Sequence, residues 1–424
     1  MFYKMAKIKV VWVCTFSNSE VRAHLKREVS PAIRLKRRLF HEPPIHIDSQ
    51  GDYALWNTRG IDEFKNFKEI ELHVIAAASH LASSSQEFVS DGIHYYFYRD
   101  DVDMISNRLK GIVCRERQYL HVKAIEYINK TIDKIKPEII HLIGAENPYS
   151  AFVLTRPKGI PIIVHLQTLL SEPGFKEGYP LMSEASYNFR SKVERDVLLR
   201  CEYIGTESEK FKNYILEKIK PEAKIFNMDL ATGLTIPSDI VPKEFDFVYF
   251  AKDIKKAADF AIEAFAITLQ KYPNLTLDVI GHYNADFKSQ LDIRIKELGI
   301  GDNITFEGSF PSHEDVVKQV RKSRFALLPF KIDYSPTTIP EAMSLGLPVV
   351  STRTDGIKTI YKEDVNILLS DVGDHISLSR NMIRLMEERG LADKIMNNAY
   401  SFIRSDDNTA RMRRWVEVYR TILT

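Results

Sequence analysis

Residues 333–357, DYSPTTIPEAMSLGLPVVSTRTDGI, carry the strongest chemical signal in the sequence. The stretch reads as loop, helix, glycine turn and buried strand. Thr338 followed by Glu341 fits a capping box, in which hydroxyl and carboxylate satisfy backbone N–H groups reciprocally, and Pro340 suits a helix only in its first turn. A helix is therefore predicted to begin here. Its unpaired N–H groups and the positive end of its dipole suit a phosphate, although a plain capped helix fits the same local pattern.

Other groups compete for attention. Asp101 and Asp103 follow the apolar run IHYYFY, and two carboxylates so spaced can hold a divalent ion against a diphosphate, yet acidic turns after strands are common. His41 and His46 in HEPPIH have no partner pair at zinc spacing, and Cys14, Cys114 and Cys201 are scattered without a CxxC, so no metal site is expected. No GxGxxG follows a strand, which argues against a dinucleotide oxidoreductase. Over residues 22–38, Arg22, Lys26, Arg27, Arg34, Lys36, Arg37 and Arg38 stand against Glu28 alone, interleaved with Leu and Ile. That composition suits an anionic lipid surface or a phosphorylated acceptor carrier, and equally a solvated helix face.

The elements that must position these groups alternate from end to end. Short β-branched runs, IKVVWVC, IELHVIA, EIIHLIG, PIIVHL and EYIGTES, are separated by helical-period segments, the grammar of a parallel sheet with crossover helices. FDFVYFA, LTLDVIG, NITFEG, FALLPF, PVVST and NILL repeat it in the second half. Gly233, Pro237 and Pro242 interrupt residues 231–245 and mark a linker, so two doubly wound α/β domains are expected, 1–240 and 241–407. In the last segment, 408–424, Met412, Trp415, Val416, Tyr419 and Ile422 recur at helical spacing and must pack on something.

The segment 333–357 resembles the signature of the retaining GT-B glycosyltransferases of family 4, or group 1, in which an acidic residue, seven others and a Glu precede Ala-Met. Asp333 and Glu341 stand at those two positions. The resemblance continues in order through FVYFAKDIKKAADFAIEAF, LTLDVIGHY, GDNITFEGSF and FALLPFKIDYSP, covering roughly the whole second domain. It implies two Rossmann-like domains facing a cleft, the C-terminal one holding a nucleotide diphosphate sugar, with the last helix packing back on the first domain.

The resemblance also implies roles. Lys252 and Lys256 would bracket the donor diphosphate, Ala251-Lys252 and Lys256-Ala257 standing where the family has Gly-Arg and Lys-Gly. Lysine neutralises phosphate as a point charge but lacks the bidentate fork of arginine. Glu341 would accept from the ribose hydroxyls, Asp333 would hold sugar hydroxyls, Thr337 and Thr338 would donate to the phosphates, and Gly308 would lie where the base docks. In the first domain the family's Gly-Gly loop is replaced by TFSNSEVRAHL, whose small polar Ser17 and Asn18 would approach the donor phosphate, and a family His falls at Gln167 with His165 two residues earlier, both further donor-binding candidates. Retention of configuration without metal or cofactor is implied, the leaving phosphate taking the acceptor proton. A cell-surface glycan or lipid-linked acceptor is typical of such enzymes. Asp101 and Asp103 would suit the metal site of the GT-A glycosyltransferases, which leaves the second-half motifs unexplained. A GT-B sugar-nucleotide epimerase and a catalytically silent scaffold are the alternatives.

The totals agree with an ordinary globular protein. At 424 residues the chain exceeds what one core usually serves. Fifty-nine basic against 57 acidic residues leave a net charge of +2, too little to point to nucleic acid as partner. The run KIKVVWVCTF is too short for a signal peptide and is followed by polar SNSE, and no stretch approaches the roughly 18 apolar residues of a membrane span. A cytoplasmic protein is expected, with any attachment to the inner face of a membrane peripheral and through residues 22–38.

Overall fold

The computed structural model describes residues 7–41, 45, 47, 51–100, 122–177, 183–232, 237, 239–251, 257–281, 283, 285–332 and 336–424. The chain divides into two compact units, Met1–Ala231 with Asn408–Thr424, and Thr232–Asp407. Each is a mainly parallel sheet with crossover helices, so the α/β expectation holds in both.

In the first unit the strands are β1 (Ile8–Cys14), β2 (Ile70–Ala78), β3 (Ser85–Ser90), β4 (Ile93–Arg99), β5 (Ile139–Ile143), β6 (Ile162–His165), β7 (Tyr203–Thr206) and β8 (Lys224–Asn227). Their order across the sheet is β3-β4-β2-β1-β5-β6-β7-β8, all parallel except the β3–β4 hairpin. Strand β1 reads as a continuous apolar run because it is central, with Val10 paired to Leu72 on one side and Ile139 on the other. The hairpin turns on Asp91 and Gly92, with φ of 50° and 79°, the two left-handed residues that a two-residue turn matching strand twist requires.

The second unit holds β9 (Phe245–Phe250), β10 (Leu277–Ile280), β11 (Ile304–Gly308), β12 (Ser323–Leu328), β13 (Val349–Thr352) and β14 (Leu368–Ser370), ordered β11-β10-β9-β12-β13-β14. All of its pairings are parallel. Its core runs from Phe247 and Val248 in β9 through Phe265 and Ile339 to Ile395 and Ile403.

The final helix, Asn408–Leu423, belongs to the first unit, and the five residues expected to form its apolar face are the five that are buried. Trp12 of β1 donates its indole N–H to Tyr419 at 3.0 Å. Tyr419 sits 2.5 Å from Nδ1 of His141, a contact in which a neutral imidazole can accept the Tyr419 proton. Burial and the neighbouring His165 push the His141 pKa well down, in agreement. Arg414 pairs with Asp229 at 2.7 Å, tying the same helix to the end of the chain segment that leaves the sheet.

Candidate functional site

In an open parallel sheet, ligands bind beyond the carboxyl ends of the strands where the strand order reverses. In the second unit that point lies between β9 and β12, and the stretches that follow these strands in the chain include Lys252, Lys256 and Asp333, which the sequence singles out. Ala251 follows β9 and Ala257 opens the helix Ala258–Leu269, while Lys331 lies beyond the end of β12. Lys252, Lys256 and Asp333 lie outside the described residues.

The described flanks are firmly held. Ala257 has φ of 45° and ψ of 52°, a left-handed conformation that costs a residue with a Cβ roughly 1–2 kcal/mol, and it is fully buried. Gly281, ending β10, has φ of 150°, and a Cβ there would come within 2.2 Å of the Ala251 carbonyl oxygen, so only glycine lets the chain after β9 pass so closely. Beyond β12, the Thr352 hydroxyl accepts from Phe330 N at 2.7 Å and donates to Phe330 O at 2.6 Å. That clamp fixes where the next residue, Lys331, begins. Lys331 pairs with Asp259 of the first helical turn at 2.6 Å and lies over the Phe260 ring, while Asp259 Oδ1 is buried with no hydrogen-bond partner among the described residues.

The helix beginning near Thr338 is present, Thr338–Ser344, with Pro340 in its first turn as expected. The capping box is not. Thr337 occupies the N-cap position with helical φ and ψ and no side-chain cap, and the Thr338 hydroxyl, already inside the helix, is buried without a partner among the described residues. The Glu341 carboxylate, 7% exposed as a residue, meets His313 Nε2 of a neighbouring helix at 2.5 Å. His313 opens the helix His313–Val320, whose own cap is Ser312, accepting from Asp315 N at 3.2 Å. The short helix ends in a Schellman pair, Gly346 N to Met343 O at 3.1 Å and Leu347 N to Ala342 O at 3.0 Å. Gly346 has φ of 78°, and a Cβ would strike the Tyr400 hydroxyl. Gly308 ends β11 with φ of 70°, its carbonyl accepting from Gly281 N at 2.9 Å, and a Cβ on it would meet nothing.

In the first unit the reversal lies between β1 and β5. Ser17 and Asn18 follow β1 there, but their side chains are committed to structure: Asn18 caps the helix Ser19–His24 by accepting from Val21 N at 2.7 Å, and Ser17 accepts from Arg22 at 2.9 Å. His165 is not brought to this edge. It is fully buried under the final helix, stacked on His141 and edge-on to Trp415, and burial pushes its pKa down to about 4. Its position in β6 sends the side chain to the sheet face that the final helix covers, so it is a core imidazole and not a donor ligand. Gln167, half-buried just past β6, has its amide nitrogen buried without a hydrogen-bond partner among the described residues. After β5, Glu146 is buried beside Arg190 at 3.7 Å, with its pKa raised by burial.

Sequence reasoning missed His313, Lys331 and Glu146. Their one signal is placement: each follows a strand that the hydrophobic pattern identifies, on the side where such folds bind ligands. Asp101 and Asp103 lie outside the described residues. In the basic segment, Arg22 pairs with Asp52 at 2.7 Å, whereas Leu35 and Leu39 of the helix Pro31–Leu39, and Phe40 after it, are exposed. No helix among the described residues is long and apolar enough to cross a membrane.

Comparison with known proteins places this geometry. Residues 238–402 match the family described as Glycosyl transferases group 1. The amylovoran biosynthesis glycosyltransferase AmsK of Erwinia amylovora is 29% identical over 147 residues, 33% of this chain and 35% of that protein. An uncharacterised glycosyltransferase of Haemophilus influenzae is 26% identical over 158 residues, 37% of this chain and 40% of that one. The matches thus span less than half the length of these relatives. Among solved structures, sucrose-phosphate synthase of Thermosynechococcus elongatus superposes with a TM-score of 0.68 at 14% identity, covering 98% of this chain and 99% of that one. HepE of Anabaena, in complex with UDP and glucose, gives 0.64 at 15% identity, covering 98% and 100%. The chain therefore has the two Rossmann-like halves of these GT-B structures, and residues 238–402 are similar to the glycosyl transferases of group 1.

Proposed function

We propose that this chain transfers a sugar from a nucleoside diphosphate sugar to an acceptor, with retained configuration and without a metal, the donor being held by the second unit. The observation that carries the reading is Glu341: a carboxylate buried beside the strand-order reversal, held by His313, inside the stretch that matches the glycosyltransferase family. A carboxylate so fixed still offers acceptor sites to a pair of adjacent hydroxyls such as those of a ribose. HepE, of the same fold, is described with UDP and glucose, which supports a nucleotide sugar as the donor class here.

Each further residue has its part in this reading. Lys252 and Lys256 neutralise the diphosphate just ahead of the twelve-residue helix Ala258–Leu269, whose N-terminal dipole favours negative charge. Thr337 and Thr338 donate to the phosphates, Asp333 orients sugar hydroxyls, and Gly308 leaves room for the base. Charge growing on the departing diphosphate is met by fixed cations, and that phosphate takes the acceptor proton. AmsK, named for amylovoran biosynthesis, supports a growing glycan as acceptor class.

Donor cleavage tests the reading without a known acceptor. The full chain, incubated with a panel of nucleotide sugars in EDTA, should slowly release nucleoside diphosphate, and proton NMR should show the first-formed sugar in the donor's anomeric configuration. Release of the opposite anomer, or activity lost in EDTA and restored by manganese, would contradict it.

A further inference from the structure

The first unit places three metal-ligating side chains on one sheet face. Glu71 and His73 are two residues apart on β2 and so point the same way, and His94 on β4 is the register partner of His73. Their ligand atoms all lie within 4.8 Å of one another. His73 is buried, while Glu71 and His94 are partly open to solvent, which gives an ion a way in.

The arrangement has the support that metal sites show around their ligands. His73 Nε2 lies 2.9 Å from Glu71 Oε1, and its other nitrogen, Nδ1, is 3.2 Å from the Tyr96 hydroxyl, a contact that fixes the ring and leaves Nε2 for the cluster. The His94 ring stacks on His73 with centroids 4.5 Å apart. Four-coordinate zinc has nitrogen and oxygen ligands at about 2.0–2.2 Å, so the partly exposed His94 ring must turn off its stack on His73 to bring a nitrogen to the ion, and the Glu71 carboxylate must shift to admit it. The nearest cation, Lys9 Nζ, is 3.7 Å from Glu71 but also donates to the Ile135 carbonyl at 3.3 Å, an anchor it keeps when the carboxylate turns to an ion.

We propose that Glu71, His73 and His94 bind a divalent ion of the zinc class, clamping β2 to β4. Two imidazoles select such an ion over magnesium or calcium, which prefer all-oxygen shells. All three ligands lie in the amino-terminal halves of their strands, the opposite end of the sheet from the Ser17–Asn18 loop. The ion is therefore a staple of the first unit and takes no part in sugar transfer.

The test uses the full chain, stripped by chelation and titrated with Zn2+ in a calorimeter. One equivalent should be taken up, the melting temperature should rise with bound metal, and Co2+ should give the intense visible bands of four-coordinate cobalt. Uptake should vanish in His94→Gln and in Glu71→Gln, both at partly exposed positions where circular dichroism should show an unchanged fold. Tyr96→Phe, which removes only the supporting hydroxyl, should weaken binding roughly 10- to 100-fold. No uptake by the stripped chain, or uptake unchanged in the His94 and Glu71 variants, would overturn the proposal.

Discussion

Lys252 and Lys256 carry the most specific expectation at the scale of single residues. Negative charge grows on the departing diphosphate as the glycosidic bond breaks, so cations aimed there stabilise the transition state more than the bound donor. Lys252→Ala and Lys256→Ala should each lower turnover about a hundred- to thousandfold, the usual effect of removing one preorganised donor. Glu341→Gln should behave differently, because ribose contacts are made equally in ground and transition states. Its Michaelis constant for the donor should rise about tenfold or more, as for loss of a hydrogen bond to a charged group, with turnover largely spared. Steady-state kinetics on the three variants separates the two effects, and near-normal turnover in both lysine variants would remove the diphosphate assignment. Glu341 was legible because its motif is local. His313, its partner, was not, since 28 positions of sequence separate residues that only the packing of two helices brings together. The same holds for His94, which joins Glu71 and His73 only through strand pairing. Ala257 shows a different limit: the sequence reveals that a family glycine is missing, but only the structure shows the left-handed backbone that glycine would have eased.

Strands were the most legible elements, because buried parallel strands are short β-branched runs between breakers, and all eleven runs quoted from the sequence fall on strands. The β3–β4 hairpin was missed although Asp91-Gly92 is its turn signal, its first strand, SQEFVS, being polar and at the sheet edge. The capping box failed for a physical reason: Thr-x-x-Glu spacing cannot tell which residue turns into the helix first, and here Thr337 is already helical. The final helix gave its buried face through periodicity alone, but not what lay beneath it, the pair His141 and His165. Burial holds His165 near a pKa of 4 in the folded state against an ordinary value of 6.5. Below pH 6.5 the unfolded chain takes up the proton first, so the stability this residue has at neutral pH is lost as pH falls toward 4, by about 2 kcal/mol between pH 6.5 and 5. Urea unfolding at those two pH values should show that loss in the parent and a smaller one in His165→Leu. On the helix Pro31–Leu39, exposed Leu35 and Leu39 lie among Arg34, Arg37 and Arg38, which suits the surface of an anionic membrane. Reversing the three arginines to Glu should reduce sedimentation with anionic liposomes and leave nucleotide binding intact; unchanged sedimentation would make this an ordinary solvated helix.

For the whole molecule, the alternation of strand and helix was enough to announce two doubly wound halves, and the ordered motifs of the second half were enough to suggest its ligand. The first half offered no comparable motif, since the loops after β1 and β5 use common polar residues for caps and turns, and nothing in Ser17, Asn18 or Glu146 names an acceptor. The donor is therefore the ligand that decides what this chain does. A ligand present at 100 times its dissociation constant raises the stability of the folded chain by about 2.7 kcal/mol, which a thermal-shift screen detects readily. The decisive measurement is such a screen of the parent and Glu341→Ala against nucleosides, nucleoside diphosphates and nucleotide sugars, without added metal. Stabilisation of the parent by one base's diphosphate and its sugars, absent with the bare nucleoside and much reduced in Glu341→Ala, is the predicted result; no response to any nucleotide, or an equal response in the variant, would contradict it.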